Sequence, residues 1–202
     1  MRRFTSFGNH VALDFVNTLE GRFRHPVDLL GSVEGLIAWL VEAGLVEAGA
    51  REVIEQRCAD DPTTCDRALE EAISLREALW RVFFAIASGD AVPDEAIEEV
   101  NRVLALAPRI LQLEPTADRD LGCRTVRTAD ELLSYVILVA EAAADFLSSA
   151  NASRLRKCSE PTCSGLFYDR SRAAERRWCE MKTCGNRAKA ARHYNRRKAR
   201  RA

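Results

Sequence analysis

The sequence predicts a mainly α-helical protein with a minor β component: a multihelical N-terminal domain with a small β-hairpin, followed by a short C-terminal module organised by cysteines. Apolar residues recur at helical spacing through most of residues 1–150, and four of the seven cysteines lie beyond them. A chain of 202 residues is long enough to bury a core and to hold one or two domains. We predict two, residues 1–150 and 151–202, because the composition changes at residue 151.

The N-terminal helices are predicted from periodicity and from residues that start or stop helices. The apolar run at residues 11–19 is too short for periodicity to distinguish a helix from a strand. Ser32 precedes apolar residues at helical spacing, and Gly44 follows them, which predicts an N-capped helix with a glycine stop. A short helix is expected at 50–58 and a longer one at 64–88.

The second half of this domain contains the predicted hairpin. Pro93, followed by two acids, opens another helix, which Pro108 ends. Two apolar segments around a polar turn within 109–127 predict a β-hairpin. Thr128 and Glu131 form a capping box for a long Ala-rich helix.

Charge is unevenly distributed, although 30 basic and 30 acidic side chains cancel over the whole chain. Residues 1–150 hold 14 arginines, no lysine and 26 acids, a net charge of −12. Residues 151–202 hold 16 basic side chains against 4 acids, a net charge of +12. Such asymmetry indicates nucleic acid or an anionic membrane as the partner of the basic part.

The predicted compartment is the cytoplasm, with no membrane partner. The N-terminal residues contain no apolar run of the kind that a secretory signal needs. The most apolar stretch, 132–147, carries Glu141 and Asp145 and is shorter than the roughly 20 residues that span a bilayer. Thiols stay reduced in the cytoplasm, so clustered cysteines are expected to hold metal rather than to form disulfides.

The cysteines of the C-terminal module form two short-spaced pairs, Cys158-x4-Cys163 and Cys179-x4-Cys184. Four thiolates in two knuckles are the donor set of a tetrahedral, structural zinc site, so we predict one zinc ion and no catalytic metal. An iron–sulfur cluster also uses four thiolates, but the basic surroundings and the knuckle pattern favour zinc. Because the module has few apolar residues, metal binding and folding should be coupled.

The remaining cysteines are not expected to pair. Cys58 and Cys65 would share a face of one continuous helix, but residues 60–62, Asp-Asp-Pro, argue against that continuity. We therefore predict no redox pair there. Cys123 is assigned to the hairpin.

An unbroken basic segment follows Gly185 and predicts a helix. A terminal helix favours a treble-clef-like finger over a zinc ribbon, in which strands would stand in place of this helix. One side of this helix is cationic, and the small-residue side is expected to pack on the zinc knuckles through Ala188, Ala191 and Tyr194. The side chains predicted to contact nucleic acid come from this helix and from the loop between the cysteine pairs: Arg187, Lys189, Arg192, His193, Arg196 and Arg200, with Arg172, Arg176 and Arg177.

Two segments resemble known families. Residues 178–193, with Cys184-Gly185-Asn186-Arg187 at their centre, resemble the CGNR zinc finger, and residues 12–18, Ala-Leu-Asp-Phe-Val-Asn-Thr, resemble the opening of the ABATE domain. The resemblance implies a bacterial, stress-induced transcription regulator whose four cysteines hold zinc and whose finger binds DNA. In such a finger Asn186 is expected to cap or brace the start of the helix.

Three polar residues interrupt the first apolar run. Asp14, Asn17 and Thr18 either line a pocket for a small-molecule effector or bond backbone groups at the end of a short element, as such side chains often do. The second interpretation is favoured, and the three remain the candidate effector site.

The predicted function is a zinc-dependent, DNA-binding transcription regulator whose residues 1–150 sense a signal or form a homodimer. Two alternatives stay open. In the first, the finger binds RNA or a ribosomal surface. In the second, the N-terminal domain is an enzyme or a small-molecule-binding domain, and the finger anchors it. The sequence contains none of the common nucleotide-binding, metalloprotease or nucleophile motifs, so an enzyme is not predicted.

Overall fold

The computed structural model describes residues 4–106, 110–116, 120–126 and 131–199. It confirms a mainly helical fold with small antiparallel hairpins. The helices are α1 (Val11–Val16), α2 (Val33–Glu42), α3 (Arg51–Asp60), α4 (Pro62–Ser88), α5 (Asp94–Ala105), α6 (Glu131–Ser149) and α7 (Asn186–Ala199). The strands form three antiparallel pairs: β1 (Leu19–Glu20) with β2 (Val27–Asp28), β3 (Ile110–Pro115) with β4 (Leu121–Val126), and β5 (Leu155–Lys157) with β6 (Leu166–Tyr168).

Side-chain caps set the starts of α2 and α4, and the sequence predicts the first of these caps. The Ser32 hydroxyl accepts a hydrogen bond from the Gly35 N–H at 3.1 Å, which confirms this residue as the N-cap of α2. The Asp61 carboxylate accepts from the Thr64 N–H at 3.2 Å and caps α4. At the other end of α4, Gly89 adopts a φ of +78°. The ambiguous run at 11–19 is the short helix α1 followed by β1.

The core is built around the 27-residue helix α4, which contacts α1, α2, α3, α5, α6 and strand β5. Its side chains Leu75, Leu79 and Phe83 are fully buried. Strands β5 and β6 also enter this core, because Leu155 and Leu166 are buried within the same apolar cluster as the helices. The cysteine-containing segment is therefore packed against the helical part.

Helix α6 contains an 18-residue window, Leu132–Ser149, that is long and apolar enough to cross a membrane by length and composition alone. In the structure this helix packs against α1, α4 and α5. Its residues Val136, Ile137 and Ala140 lie in the core, as expected for an apolar helix packed inside a globular fold.

The prediction that Cys58 and Cys65 form no pair is wrong. The structure joins them in a disulfide with a Cα–Cα distance of 5.5 Å. Helix α3 ends at Asp60 and α4 begins at Pro62, as the sequence indicates, but the break folds one helix back along the other. Cys58, near the end of α3, and Cys65, near the start of α4, then face each other.

The predicted hairpin is confirmed as β3 and β4, which pair in the register Leu113 opposite Cys123. Residues on one face alternate with residues on the other, so one face is apolar and exposed. On the opposite face Arg124 contacts Glu114 at 3.1 Å. The predicted capping residue Thr128 lies outside the described residues. The exposed apolar face carries Leu111, Leu113, Leu121 and Cys123.

A buried ion pair ties the β1–β2 hairpin to the central helix. Arg76 is only 2% exposed, and its guanidinium donates to both carboxylate oxygens of Asp28, at 2.6 and 2.7 Å. These hydrogen bonds hold the pKa of Asp28 below its usual value. Since a buried guanidinium without a carboxylate is strongly destabilising, the pair fixes β2 against α4.

Replacing Asp28 by asparagine is expected to lower the free energy of unfolding by about 2 kcal/mol at pH 7, because a charge-assisted bond to Arg76 is lost. The lowered pKa of Asp28 means that its contribution is present above pH 4 and is lost as the pH falls through the folded-state value. Urea unfolding at pH 7 and pH 3 measures both effects.

Glu70→Gln is the matched control. It changes an exposed carboxylate of α4, the helix that carries Arg76, and should change the free energy of unfolding by less than about 0.5 kcal/mol. Equal stability of Asp28→Asn and Glu70→Gln at pH 7 would contradict the role given to the ion pair.

Candidate metal centre

Two segments of different structure carry the four cysteines. Cys158 follows β5 and Cys163 precedes β6, so the first pair lies in the loop of a hairpin. Cys179 precedes a single wide, π-helical turn at Met181–Gly185, and Cys184 lies within that turn, directly before α7. A knuckle in a hairpin followed by a second pair at the start of a helix is a treble-clef-like order. The zinc-ribbon alternative is wrong, because a helix follows the second pair.

The four sulfur atoms already stand at the distances of a tetrahedral zinc site. All of them lie within 4.8 Å of one another. The Sγ atoms of Cys163 and Cys179 are 3.7 Å apart, and those of Cys179 and Cys184 are 3.6 Å apart. Zinc–sulfur bonds of about 2.3 Å in a tetrahedron give sulfur–sulfur edges of about 3.8 Å. The chain therefore has one structural zinc site, and its four thiolates leave no open position for a substrate.

Backbone N–H groups donate to two of the four sulfurs. The backbone N–H of Cys179 donates to the Sγ of Cys158 at 3.5 Å, and that of Gly165 donates to the Sγ of Cys163 at 3.4 Å. Hydrogen bonds from Cys163 and Cys179 lower the pKa of the Cys158 thiol, and the same contact raises the pKa of Cys163. Zinc needs deprotonated ligands, and it would release the protons that this cluster holds.

The loop between the cysteine pairs is organised by a buried carboxylate. Asp169 is fully buried, and its two oxygens accept hydrogen bonds from the backbone N–H groups of Ser171 at 2.9 Å and Arg176 at 2.7 Å. Burial alone raises the pKa of Asp169, but these hydrogen bonds outweigh it and hold the pKa below its usual value. The carboxylate thus fixes the start and the end of the loop.

Arg176 has a structural role that the sequence did not predict. Its guanidinium lies 4.2 Å above the Phe167 ring and donates to the carbonyl oxygens of Phe7 at 3.0 Å and Trp178 at 3.1 Å. It also donates to the carbonyl of Cys179. These contacts engage its Nε and one of its two terminal nitrogens, and the assignment of Arg176 to nucleic acid stays a prediction.

Helix α7 is confirmed, but its predicted packing is wrong. Tyr194 is 68% exposed and Ala191 is exposed, whereas Ala188 in the first turn is half-buried. The helix therefore projects from the cysteines instead of lying along them. Asn186 braces its start, since its side-chain amide donates to the carbonyl of Lys182 at 3.0 Å.

The projecting helix leaves its cations exposed. Among the residues that the structure describes, no ion pair connects an α7 side chain to the acidic part of the chain. Arg200 lies outside the described residues. The contact of the predicted α7 and loop side chains with nucleic acid stays a prediction. The exposed members of the predicted set are Arg187, Lys189, Arg192, His193 and Arg196 on α7, and Arg172 and Arg177 on the loop.

The three polar residues of the first apolar run, Asp14 in α1 and Asn17 and Thr18 just after it, have separate environments. The amide of Asn17 bonds the backbone of Leu166, 149 positions away, and the Thr18 hydroxyl donates to the carbonyl of Phe15 at 2.6 Å. Asp14 accepts from the Gly8 N–H at 2.8 Å. The effector assignment of these residues stays a prediction. Sequence reasoning missed the partner of Asn17 because spacing carries no signal of a contact so distant along the chain.

A cavity of about 380 Å³ lies beside Asp14, between the N-terminal segment, α1 and α2. Glu42 and Trp39 line it from α2, and Arg170 lines it from the cysteine-containing segment. Burial raises the pKa of Asp14 to about 6, although the hydrogen bond from Gly8 opposes this shift. The cavity thus combines acidic, basic and aromatic groups.

Two family models match the chain. Residues 9–150 match ABATE, described as "Putative stress-induced transcription regulator", and residues 154–197 match the CGNR zinc finger. The second match spans all four cysteines and most of α7. The comparison with curated proteins gave no match.

Replacing Cys179 by serine is expected to abolish zinc binding, because its sulfur contacts those of Cys163 and Cys184 and a hydroxyl is a poor zinc ligand. Metal analysis of the purified protein should give about one zinc per chain for the wild type and almost none for the variant. Cys123→Ser, at an exposed cysteine of the hairpin, should keep the full amount. A Cys179→Ser protein that retains one tightly bound zinc would refute the assigned ligand set.

Proposed function

Because the chain belongs to the ABATE family and carries a CGNR zinc finger, we propose that it is a transcription regulator that binds duplex DNA through helix α7 in a zinc-dependent manner. The observation that carries the proposal is the exposed row of cations on a helix that starts at the zinc ligands. Lys189, Arg192 and Arg196 follow one another at spacings of three and four residues and so share one side of the helix.

The shape of the helix is compatible with the major groove. Its 14 residues give a length of about 21 Å, and the groove of B-DNA is wide enough to admit a helix. Arginine and lysine neutralise phosphates, and arginine also makes paired hydrogen bonds to guanine. Arg172 and Arg177, on the loop between the cysteine pairs, are also exposed and add two cations that could neutralise phosphates.

Zinc supports this function by holding the start of the helix. Cys184 lies in the turn that leads into α7, and the other three ligands connect that turn to the β5–β6 hairpin. Without the metal the helix would lose its fixed direction relative to the hairpin, and binding would become weaker and less selective. Structural zinc is known to supply folding free energy to modules of this size.

The remaining parts of the proposal concern the division of labour between the basic residues 151–202 and the acidic residues 1–150. We assign residues 151–202 to DNA binding and residues 1–150 to regulation, in the cytoplasm, where a regulator meets the chromosome. The cavity at Asp14 is the candidate place for an effector, and the exposed apolar face of β3 and β4 is the candidate contact of a homodimer.

Binding of RNA is the competing function. The exposed ring of Tyr194 on α7 offers one stacking surface for an unpaired base. The A-form major groove is too narrow for a helix, so an RNA ligand would have to offer single-stranded bases or backbone phosphates.

Duplex DNA binding is expected to fall steeply with salt, and Arg192→Ala/Arg196→Ala should weaken it about tenfold or more at low salt. Loss of two phosphate contacts should also reduce the log–log salt slope by about 1.8. Fluorescence anisotropy with duplex DNA and single-stranded RNA, with zinc and after chelation, measures these effects.

Arg67→Ala/Arg81→Ala removes two exposed arginines from α4 and is the charge-matched control, which should bind like the wild type. If the zinc-loaded protein preferred the RNA, or ignored duplex DNA at low salt, the proposal of a DNA-binding regulator would be refuted.

A further inference from the structure

A buried side-chain amide joins the helical part to the zinc-binding hairpin. The Nδ2 of Asn17 donates to the carbonyl of Leu166 at 2.8 Å, and its Oδ1 accepts from the N–H of the same residue at 2.9 Å. Asn17 is 5% exposed and Leu166 is fully buried. A carboxamide offers the same donor and acceptor as a peptide group, so Asn17 pairs with β6 as a neighbouring strand would.

The rest of this strand edge is satisfied from the N-terminal segment. The N–H of Tyr168 donates to the carbonyl of Gly8 at 2.9 Å, and the carbonyl of Tyr168 accepts from the amide of Asn9 at 2.8 Å. Strand β6 thus has β5 on one side and a substitute strand, made of Asn17, Asn9 and Gly8, on the other. Buried backbone groups that lose such partners are costly, so the hairpin depends on this edge for its position.

The same edge lies directly beside the metal ligands. Gly165, which precedes Leu166, donates to the Sγ of Cys163 at 3.4 Å, and its carbonyl accepts from the N–H of Cys158 at 2.9 Å. A Cβ on Gly165 would lie 3.1 Å from the Phe7 ring and 3.2 Å from the Cβ of Cys179. The glycine therefore lies between the N-terminal segment and the cysteines with no spare room.

The second cysteine pair is tied to the same segment. Arg176 donates both to the carbonyl of Phe7 and to the carbonyl of Cys179, so one guanidinium bridges them. Both zinc knuckles consequently contact residues between 7 and 17.

We propose that Asn17 is a positioning residue for the zinc site: by holding Leu166 it fixes the first knuckle, so that zinc binding and docking of the hairpin on the helical part stabilise each other. Such coupling is reciprocal, since whatever docking adds to zinc affinity zinc adds to docking. The inference concerns the zinc site alone and does not depend on the DNA-binding function. It also gives a role to one polar residue of the first apolar run.

Zinc affinity of the full-length chain, measured by competition with a chromophoric chelator, tests the proposal. Asn17→Ala removes both hydrogen bonds and leaves the peptide groups of Leu166 unsatisfied, so its zinc dissociation constant should rise about tenfold or more. Ser32→Ala is the matched control, because it deletes a cap of α2 in the same helical part without touching the hairpin. It should lower thermal stability but leave zinc affinity unchanged.

A second variant keeps the test decisive if Asn17→Ala fails to fold. Asn9→Gly removes only the hydrogen bond to Tyr168, and glycine readily adopts the φ of +65° found there. Its zinc dissociation constant should rise severalfold while the helical circular dichroism is kept. The proposal would be overturned if folded Asn17→Ala bound zinc with wild-type affinity. If Asn17→Ala does not fold, wild-type zinc affinity of folded Asn9→Gly would overturn it instead. In either case the knuckles would form independently of the helical part.

Discussion

The structure depends on the β5–β6 hairpin, which has one face in each of two hydrophobic clusters. Leu155 and Leu166 are buried among the helices, whereas Phe167 is buried with Cys158, Cys179 and Cys184. Adjacent residues of a strand point to opposite faces, so one peptide bond separates the two environments. The hairpin therefore fixes the metal centre against the helical core, and the metal centre in turn holds the start of α7.

This arrangement explains how a very basic segment can be ordered. Residues 151–202 carry a net charge of +12 and few large apolar side chains. A module of this size rarely folds on an apolar core alone, and metal commonly supplies what the core lacks. Here the helical part supplies a second anchor through Leu155, Leu166 and Asn17. The cations of α7 can then stay exposed, because the helix contributes almost nothing to either cluster.

The sequence predicts features that depend on local spacing. Zinc ligands need two short-spaced cysteine pairs, Ser32 needs only an N–H three residues away, and the hairpin of β3 and β4 needs alternation and a turn. Each of these patterns lies within a few residues or repeats a known spacing, and each was confirmed. The division of charge between the two parts is likewise a property of composition.

Features that depend on the tertiary fold were missed. The break after Asp60 shows that a helix ends but not where the next one points, so the pairing of Cys58 with Cys65 was not predictable from it. Arg176 looks like its neighbours in sequence, yet its guanidinium donates to the carbonyl of Phe7, 169 positions away, as well as to the nearby carbonyl of Trp178. Exposure of Tyr194 follows from the direction in which α7 leaves the turn at Met181–Gly185, which the spacing of residues within the helix does not show.

Hydrogen–deuterium exchange of the full-length protein, with zinc and after its removal by a chelator, tests most directly whether the hairpin couples the metal to the helical core. The account predicts that zinc removal accelerates exchange in β6 and also in α1, which contacts β6, while α5, which packs on α4 and α6, stays protected. Faster exchange confined to residues 158–199, with α1 unchanged, would contradict it.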